Sequence, residues 1–494
     1  MLLVGYSVVP FRYRRLICYS VSKMLTLLKI GRHCTSSLTH HIAYTENWGL
    51  LVMKQVTETQ ELATKEPIYA LVISWILLFP LLVFASGYGF SFELGAINTY
   101  SGEAFAMQGF SEMTFGKSLV LQIQAIVVYL ICVFLMVPFV RIIAANFRRD
   151  ILISSLTLLA IVSCIWSENP VKSLGYGILL IAGVAFAFYL LERFPAKVLM
   201  NLFLMVGAVA AIGSLFLIVF FPEYGLYDRA GIASGAWEGI FAHKNNCGEM
   251  MTYLLLPAFF VQLKSRSAKI LRIAYIALVL LIIVMSRSAG AWVVCGSCLM
   301  FIAIIHLLVR MPGKDAAAIA LVLVGGALIA GIVVYNYFDL LMVAIGKDPT
   351  MTGRTKIWSA LMQSMMKRPL LGYGFKAFWQ GLHGESGHVG LLMDWVGMGY
   401  AENGVIDLAL ELGAVGVALY LLVFCRAVKD AIYCFTREPS PGVMWYITLL
   451  FVLAISNIES GALLAPTDLK SLLPMVAFLG LRQEAQRLSS ERVA

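Results

Sequence analysis

Four short polar motifs carry the residue types that could bind and activate an anionic substrate. Lysine and arginine bind phosphate groups, arginine through a planar fork of donors, and a histidine or glutamate can accept a proton from a reacting hydroxyl. The charge of the surrounding loops predicts that all four lie on the outer face of a membrane, where such groups suit an anionic, lipid-linked substrate. The motifs are Ala242-His243-Lys244-Asn245, Ser286-Arg287-Ser288, Thr352-Gly353-Arg354-Thr355 and Ala401-Glu402-Asn403-Gly404.

The elements that position these motifs are predicted to be membrane-spanning helices. Hydrophobic residues make up 60% of the 494 residues and charged residues only 13%, a composition that excludes a soluble domain. A spanning helix needs about 20 mostly apolar residues. The sequence therefore predicts an all-α polytopic membrane protein with about 12 transmembrane helices, or 10–12 because the third and last are short. The predicted spans are 68–86, 118–140, 151–166, 173–191, 198–221, 246–263, 270–285, 289–309, 316–338, 404–425, 442–458 and 469–482.

The Lys and Arg content of the loops predicts the orientation of the chain. Cytoplasmic loops carry an excess of these residues, and a cytoplasmic N-terminus places most of them inside. Both termini are therefore predicted to be cytoplasmic. The inside loops and C-terminal tail then carry Arg141, Arg148, Arg149, Arg193, Lys197, Lys264, Arg266, Lys269, Arg272, Arg310, Lys314, Arg426, Lys429, Arg437, Arg482, Arg487 and Arg492, whereas the other loops carry Lys117, Lys172, Arg229, Lys244, Arg287 and Lys470.

The long outer segment 339–403, between spans nine and ten, is an exception because it also carries several cations. Long loops do not follow the charge rule, so cations there indicate a function. Residues 353–368 are predicted to form an amphipathic helix that Pro369 ends. Its apolar side chains recur on one side at helical spacing: Ile357, Trp358, Leu361, Met362 and Met365.

Arg354 falls in the first turn of this helix, after the predicted N-cap Thr352. Free backbone N–H groups at a helix start suit an anion, so a cation beside them indicates a phosphate site. The alternative is that Arg354 only extends to lipid headgroups.

Two carboxylates, Asp407 and Glu411, fall within a predicted span, where ionisable residues are costly and usually functional. Their spacing places both on one helix face with Asn403. Asp407 lies close to the predicted outer interface, so the alternative to a functional role is that its carboxylate only extends to water. Trp237 and Trp379 are candidates for stacking on sugars or for contacting headgroups.

Several function classes are not favoured. The net charge of +9 comes without a basic patch of interleaved aromatics, so nucleic acid is not expected as a partner. The sequence contains no GxxxxGK[ST] motif and no GxGxxG after a strand, so an activated substrate rather than ATP is expected to drive any reaction. Cys295 and Cys298 have redox spacing but are predicted to pack as small residues in a span. His383 and His388 lack supporting cysteines, so we expect no metal and no cofactor.

Residues 1–52 are basic and do not resemble a signal peptide, because no apolar run of about 7–15 residues precedes a cleavage site. Two interpretations stay open. Translation begins at Met53, or residues 1–52 form a cytoplasmic tail on anionic headgroups.

The region from about residue 230 to 425 resembles the O-antigen ligase and exopolysaccharide polymerase superfamily of bacterial inner-membrane proteins. The His-Lys-Asn element is more similar to the exopolysaccharide-production branch than to the lipopolysaccharide ligases. The residues that carry the resemblance are Gly239-Ile240-Phe241-Ala242-His243-Lys244-Asn245, Met285-Ser286-Arg287-Ser288, Thr352-Gly353-Arg354-Thr355-Lys356-Ile357-Trp358, Arg368-Pro369-Leu370-Leu371-Gly372-Tyr373-Gly374, Glu402-Asn403-Gly404-Val405-Ile406-Asp407 and Glu411-Leu412-Gly413.

The resemblance implies transfer of a glycan from undecaprenyl diphosphate to an acceptor hydroxyl in the periplasm, without metal or cofactor. The acceptor is another lipid-linked repeat in polymerases and lipid A–core in ligases, and a chain-length regulator is an implied partner. Arg287 and Arg354 match the family's outer arginines, which implies that they bind the diphosphate and stabilise the leaving group. The expected substrate-binding residues are Lys244, Asn245, Asn403, Lys356 and Arg229.

Glu402 is a departure from the family, which commonly has histidine before this Asn-Gly pair. Glutamate can also act as general base, but its charge would repel a diphosphate unless a cation neutralises it. Three alternatives therefore stay open: Glu402 is the base, His243 has taken that role, or this branch binds its substrate differently.

A transporter of polysaccharide or lipid-linked oligosaccharide is the competing function, since twelve spans are common in transporters, and a non-catalytic receptor or scaffold is a third. Transporters show repeats and polar residues near the midplane, which this sequence does not. The predicted division is a cytoplasmic segment 1–67, N-terminal helices 68–229, a catalytic region 230–425 and C-terminal helices with a tail 426–494.

Overall fold

The computed structural model describes residues 76–77, 79–84, 123–124, 126–229, 232–310, 354–381, 383–392, 399–401, 403–457, 463–465 and 468–493. Within these ranges the side chains of 228–229, 232–234, 354–356, 392 and 492–493 lie outside the description. Contacts divide the chain into two units, residues 1–79 and 80–494. All numbered helices and both strands lie in the second unit.

Helices dominate the described part of the chain. They are α1 (Ile126–Arg149, with a 3-10 turn at Val137–Phe139), α2 (Ile151–Val162, followed by a 3-10 turn, Ser163–Ile165), α3 (Pro170–Arg193), α4 (Ala196–Phe220), α5 (Pro222–Gly225), α6 (Lys244–Leu255), α7 (Pro257–Phe260), α8 (Arg266–Met285), α9 (Ala289–Arg310), α10 (Arg354–Lys367), α11 (Gly384–Leu392), α12 (Gly404–Arg437), α13 (Pro441–Ser456) and α14 (Leu469–Val493).

Among the described residues, six helices are long and apolar enough to cross a membrane: α1, α3, α4, α8, α9 and α12. Two shorter apolar helices, Ile151–Ile165 and Pro441–Ser456, accompany them. The predicted all-α polytopic fold is confirmed, and the chain is a multi-pass membrane protein. The count of twelve stays a prediction, because the predicted span 316–338 and most of 68–86 lie outside the described residues.

Two local features differ from the predicted pattern. The predicted span 246–263 is divided into α6 and the single turn α7, because Pro257 has no N–H to donate and its ring disrupts the preceding turn. A two-stranded antiparallel hairpin, β1 (Leu226–Arg229) and β2 (Ile232–Trp237), precedes α6. Short strands of this kind carry too little hydrophobic periodicity to be predicted inside a mostly apolar chain.

Helix α6 lies at the centre of one part of the bundle, and its residues from Cys247 to Leu255 are buried. It contacts α4, α8 and α9, while α14 packs against α3, α12 and α13. At the end that sequence charge predicts to be cytoplasmic, Arg426 of α12 binds Asp150 through two bonds of 2.7 and 2.8 Å. Asp150 is also the N-cap of α2, so this bidentate pair fixes α12 against α2.

Candidate functional site

Helix α12 is broken at Gly413, where the backbone has φ 63° and ψ −165°. This conformation is essentially restricted to glycine. A Cβ at this position would lie 2.3 Å from the backbone of Leu370, so the close approach of a second chain segment also requires glycine. The break interrupts the i to i−4 hydrogen bonds of the helix, and the backbone groups on both sides need partners from elsewhere.

The segment 369–374 supplies those partners. In a membrane, non-helical backbone is tolerated only where its polar groups are satisfied by protein or water. Two amides of the segment donate to carbonyls before the break, and two of its carbonyls accept from amides after it, so the motifs 368–374 and 411–413 form one structural unit. The bonds are Tyr373 N to Leu410 O (2.8 Å), Gly374 N to Glu411 O (2.9 Å), Ala414 N to Pro369 O (2.8 Å) and Val415 N to Leu370 O (3.2 Å).

The connection between α2 and α3 holds the same segment from its other side. Glu168 forms an ion pair with Arg368 at 3.4 Å, and the Arg368 guanidinium lies 4.7 Å from the centroid of the Tyr373 ring. The Ser173 hydroxyl donates to the Phe375 carbonyl at 2.8 Å. Residues 368–381, which are part of the predicted segment 339–403 and are called the outer segment from this point, are therefore held by the α2–α3 connection and the first turn of α3 on one side and by α12 on the other.

A cluster of one cation and two carboxylates lies beside the break. The Lys376 ammonium is 3.1 Å from the buried Glu411 carboxylate, and Asp407 lies within electrostatic range of both. Lys376 has a left-handed backbone (φ 57°), which points to a constrained turn. Burial alone would lower the pKa of Lys376, but the Glu411 and Asp407 carboxylates raise it above its ordinary value. Lys376 is therefore a fixed cation.

Asp407 joins two neighbouring segments through one carboxylate oxygen. Its Oδ1 accepts from the Trp379 indole N–H and from the Ala401 backbone N–H, both at 2.9 Å. Its Oδ2 is buried and has no hydrogen-bond partner. With 4% of its surface exposed, Asp407 does not reach water. Trp379 is 7% exposed, so its predicted role in stacking on sugars is wrong: aromatic character alone does not reveal that the ring is enclosed.

The predicted amphipathic helix is confirmed as α10, Arg354–Lys367. Ile357 and Leu361 face a buried apolar cluster, with Trp358 and Met365 packed against it. Met362 is 52% exposed, so the buried surface of the helix is narrower than the apolar side predicted from the helical spacing. The Trp358 indole N–H donates to the Ala401 carbonyl at 2.9 Å, which connects α10 to the residue before Glu402.

The far end of α10 is fixed to α11. Glu385 accepts from the Ser364 hydroxyl (2.8 Å) and from the Lys367 ammonium (2.6 Å), and the Tyr373 hydroxyl donates to the Ser364 carbonyl (2.8 Å). Partial burial would raise the pKa of Glu385, but the hydrogen bonds from Lys367 and Ser364 lower it below the ordinary value. Burial raises the pKa of Tyr373 to about 12, which keeps this donor protonated.

His243 is the N-cap of α6, and its Nδ1 accepts from the Asn245 backbone N–H at 3.1 Å. A backbone N–H can only donate, so the ring of this neutral imidazole carries its proton on Nε2. The ring of Tyr227 in β1 packs edge-on against His243 with centroids 4.8 Å apart, and the Lys244 ammonium lies 5.7 Å from the same ring. The hairpin therefore covers the start of α6.

Arg287 occupies the turn between α8 and α9 in a left-handed conformation (φ 50°). Its side chain is exposed, whereas Ser286 and Ser288 on either side are buried. Gly248 of α6 packs directly on this turn, since a Cβ there would lie 2.8 Å from the Ser286 hydroxyl and 2.6 Å from Ala291 Cβ. The His-Lys-Asn and Ser-Arg-Ser motifs are thus neighbours.

A buried ion pair connects α6 to α14. Glu249 and Lys470 are 2.6 Å apart, with 11% and 12% of their side chains exposed. Lys470 also lies within electrostatic range of Tyr400, two residues before Glu402. The starts of α6, α9, α12 and α14 therefore meet at one end of the bundle.

The remaining predicted residues are placed in part. Asn403 is the N-cap of α12 and accepts from Val405 and Ile406 N–H at 3.0 and 3.1 Å. Arg354 and Lys356 lie in the first turn of α10, and Arg229 ends β1, but their side chains are outside the description, as is Glu402 entirely. Within the described residues, no group of three or more His, Cys, Asp or Glu side chains is arranged to hold a metal ion.

The sequence did not reveal which distant residues pair with one another in this region. Lys376 was visible as one cation among several, but nothing local indicates its pairing with Glu411, and the pairing of Glu249 with Lys470 has no sequence signal. Gly372, Gly374 and Gly413 all have positive φ, but the sequence does not show that the two segments pair at the break.

Two comparisons with known proteins bear on this arrangement. Residues 274–421 match the family model described as O-antigen ligase. The exopolysaccharide production protein ExoQ of Rhizobium meliloti (strain 1021) is 26% identical over 343 residues, which cover 65% of this chain and 74% of that protein. The matched residues include α9, α10 and the broken part of α12. The resemblance inferred from the sequence motifs is confirmed.

Proposed function

We propose that this chain belongs to the O-antigen ligase and exopolysaccharide superfamily, and that it transfers or polymerises glycan repeat units from undecaprenyl diphosphate onto an acceptor hydroxyl. The reaction takes place at the periplasmic face of the bacterial inner membrane, in exopolysaccharide biosynthesis. The observation that carries this proposal is the meeting of the helix ends that bear the polar motifs at one end of the bundle.

Three contacts support that meeting. Gly248 packs the start of α6 on the turn that holds Arg287. The pair between Glu249 and Lys470 brings the start of α14 to α6. The bond from Trp358 to Ala401 joins α10, which begins at Arg354, to the start of α12.

The proposed reaction is a substitution at the anomeric carbon of the donor glycan. The acceptor oxygen forms a bond to that carbon while the bond to the diphosphate oxygen breaks, and undecaprenyl diphosphate leaves with the electron pair. The acceptor proton passes to a base. Arg287 and Arg354 bind the diphosphate and stabilise the negative charge that grows on it, and Lys244, Asn245, Lys356, Asn403 and Arg229 contact the substrate. The glycosyl–phosphate bond that breaks supplies the energy of the step, so no nucleotide is required, and in this proposal the two arginines rather than a metal stabilise the leaving group.

Glu402 is the proposed base. Nδ1 of His243 already accepts the hydrogen bond that caps α6, and Nε2 carries the ring proton. His243 could therefore take the acceptor proton at Nε2 only if that nitrogen first lost its own proton. This favours Glu402 over His243. The neutralising cations would be Arg287 and Arg354.

Transport is less favoured by the structure around Gly413. Broken helices occur in transporters, where the free backbone groups bind substrate or ions near the midplane. The break here lies roughly 14 Å from the start of α12, at about 1.5 Å per residue. Its backbone groups, however, are bound by residues 369–374 and so are occupied by protein rather than offered to a solute.

The product is proposed to be an exopolysaccharide, because ExoQ is named for exopolysaccharide production. Ligation of O-antigen to lipid A–core is the alternative, since the matching family is described as O-antigen ligase. A chain-length regulator would be a partner only of a polymerase.

Purified chain in proteoliposomes distinguishes these activities. Supplied with an undecaprenyl-diphosphate glycan alone, a polymerase should lengthen the glycan, whereas a ligase should act only when lipid A–core is added. Movement of the labelled donor between leaflets without any new glycosidic bond would favour a transporter.

The proposed side of the membrane has its own test. A cysteine at exposed Gln363 of α10 should react with an impermeant thiol reagent in intact spheroplasts, in a background without the exposed Cys425. The matched control at Arg437, at the other end of α12, should react only after lysis. The reverse pattern would place the site in the cytoplasm.

A further inference from the structure

Asp407 stands at the junction of the outer segment, the residues before α12 and α12 itself. Its Oδ1 binds two donors that are far apart in the sequence, Trp379 and Ala401. The Ala401 carbonyl in turn accepts from Trp358 of α10. One carboxylate oxygen therefore connects the outer segment to the residue before Glu402, and through it to α10.

The residues on both sides of Glu402 are fixed by this junction and by the start of α12. Ala401 is held at its N–H by Asp407 and at its carbonyl by Trp358. Asn403 caps the helix through its side chain, and its carbonyl accepts from the Asp407 N–H at 3.0 Å. Gly404 N–H donates to the Asn457 carbonyl at 3.1 Å.

We propose that Asp407 is a positioning residue that fixes the backbone on either side of Glu402 and couples it to α10, whose first residue is Arg354. The effect of Asp407 on catalysis rests on the proposed function, whereas the effect of Asp407 on the order of the backbone at 399–406 does not. Asp407 itself is enclosed, so its proposed action passes through these neighbours rather than directly to the substrate.

The chemistry of the carboxylate accounts for the choice of test variants. An asparagine at position 407 can accept the same two hydrogen bonds through its own Oδ1, so Asp407→Asn should preserve the junction. Alanine can accept neither, so Asp407→Ala should release Ala401 and Trp379. A helix-stabilising role alone would not distinguish the two variants in this way, because alanine has the higher helix propensity.

Asp430 provides a matched control on the same helix. It is also a buried aspartate of α12 with an unpartnered Oδ2, and its other oxygen faces Arg482 at 3.6 Å. It lies toward the opposite end of α12, so Asp430→Ala should perturb the helix without touching the junction.

The test is amide hydrogen exchange of the purified full chain, followed in peptides that contain residues 399–406. Asp407→Ala should speed exchange there by about tenfold or more. Tenfold corresponds to the weakest hydrogen bonds to a charged acceptor. Asp407→Asn and Asp430→Ala should exchange as the wild type does. Unchanged exchange in Asp407→Ala, or the same acceleration in Asp430→Ala, would overturn the proposal.

A second variant keeps the test decisive if Asp407→Ala does not fold. Trp379→Phe removes one of the two donors to Asp407 and leaves the hydrogen bond from Ala401. The Asp407 carboxylate is then held less firmly, so exchange at 399–406 should rise by about two- to threefold. Exchange equal to that of the wild type would contradict a shared junction.

Glycan transfer by the same samples separates this proposal from the proposed function. If Asp407 positions Glu402, Asp407→Ala should lower kcat by about tenfold or more with a smaller change in KM, and Asp407→Asn should restore it. Faster exchange in a chain whose wild type transfers no glycan would support the junction and reject the function. An active wild type with unchanged exchange and full kcat in Asp407→Ala would reject the junction alone.

Discussion

The Lys376 ammonium lies 3.1 Å from the Glu411 carboxylate, and this ion pair joins the outer segment to α12 two residues before the break at Gly413. Glu411 is 3% exposed and Lys376 is 21% exposed, so the pair is largely removed from solvent. Its removal is therefore expected to have a larger effect than that of a surface ion pair.

Lys376→Met should destabilise the chain because it leaves the Glu411 charge buried without a partner. Removing one partner of a buried ion pair lowers the free energy of unfolding by about 3–5 kcal/mol. Because Lys376 is partly exposed, the loss expected here is at most that large. The double variant Lys376→Met/Glu411→Leu removes both charges and should recover much of the loss. Thermal unfolding in detergent measures this, with exposed Lys429→Met as control. A single variant as stable as the wild type would show that the pair contributes little.

Gly413→Ala should prevent correct folding of α12 against the outer segment. A non-glycine residue in this backbone region costs about 1–3 kcal/mol, and the Cβ would also meet the backbone of Leu370 at 2.3 Å. Gly296→Ala in α9 is the matched control, since a Cβ there meets nothing within 4 Å and alanine favours a helix. Yield of monodisperse protein and thermal stability measure both. Equal behaviour of the two variants would contradict the conformational requirement at Gly413.

The contact between α10 and α11 should weaken in acid. Hydrogen bonds from Lys367 and Ser364 hold the pKa of Glu385 below its ordinary value of 4.5. A carboxyl of this kind stabilises the fold above its unfolded-state pKa, and the contribution is lost as pH falls through the lower, folded-state pKa. The stability difference between wild type and Glu385→Gln should thus be full at pH 6 and vanish below the folded-state pKa. A difference that persists in acid, or one shared by exposed Glu223→Gln, would argue against this role.

Arg287→Lys and Arg354→Lys should each lower glycan transfer by about tenfold or more, because lysine keeps the charge but loses the planar fork, and ~1.4 kcal/mol corresponds to a factor of ten. Arg310→Lys, at the opposite end of α9, is the control and should remain fully active. Product per molecule of purified protein is the measurement. Full activity in both test variants would remove the diphosphate role from these arginines.

The sequence alone predicts much of the scaffold and less of the site. Apolar runs and loop charges indicate the helices, and Pro369 together with the helical spacing of Ile357 and Leu361 predicts α10 nearly to its bounds. These signals are local, because the spacing of apolar residues within one helix is enough to predict which of its sides is buried.

What could not be predicted depends on contacts between distant segments. A lone glycine in an apolar helix does not reveal whether it bends, packs or breaks the helix, so Gly413 became informative only beside Leu370. The enclosure of Trp379 and the pairing of Lys376 likewise depend on α12 and the outer segment meeting. Glu249 lies in a predicted span without any local sign that Lys470 neutralises it.

The rate of transfer from a purified undecaprenyl-diphosphate glycan, compared between the wild type and Glu402→Gln, tests the central claim most directly. Glutamine keeps the shape of the side chain and loses its basicity, so loss of a general base should slow transfer by about 10²–10⁴-fold. The account predicts a new glycosidic bond with the wild type and this loss with Glu402→Gln, while His243→Ser, which preserves a capping side chain, stays active. No transfer by the wild type would contradict the proposed function, and wild-type rates from Glu402→Gln would contradict Glu402 as the base.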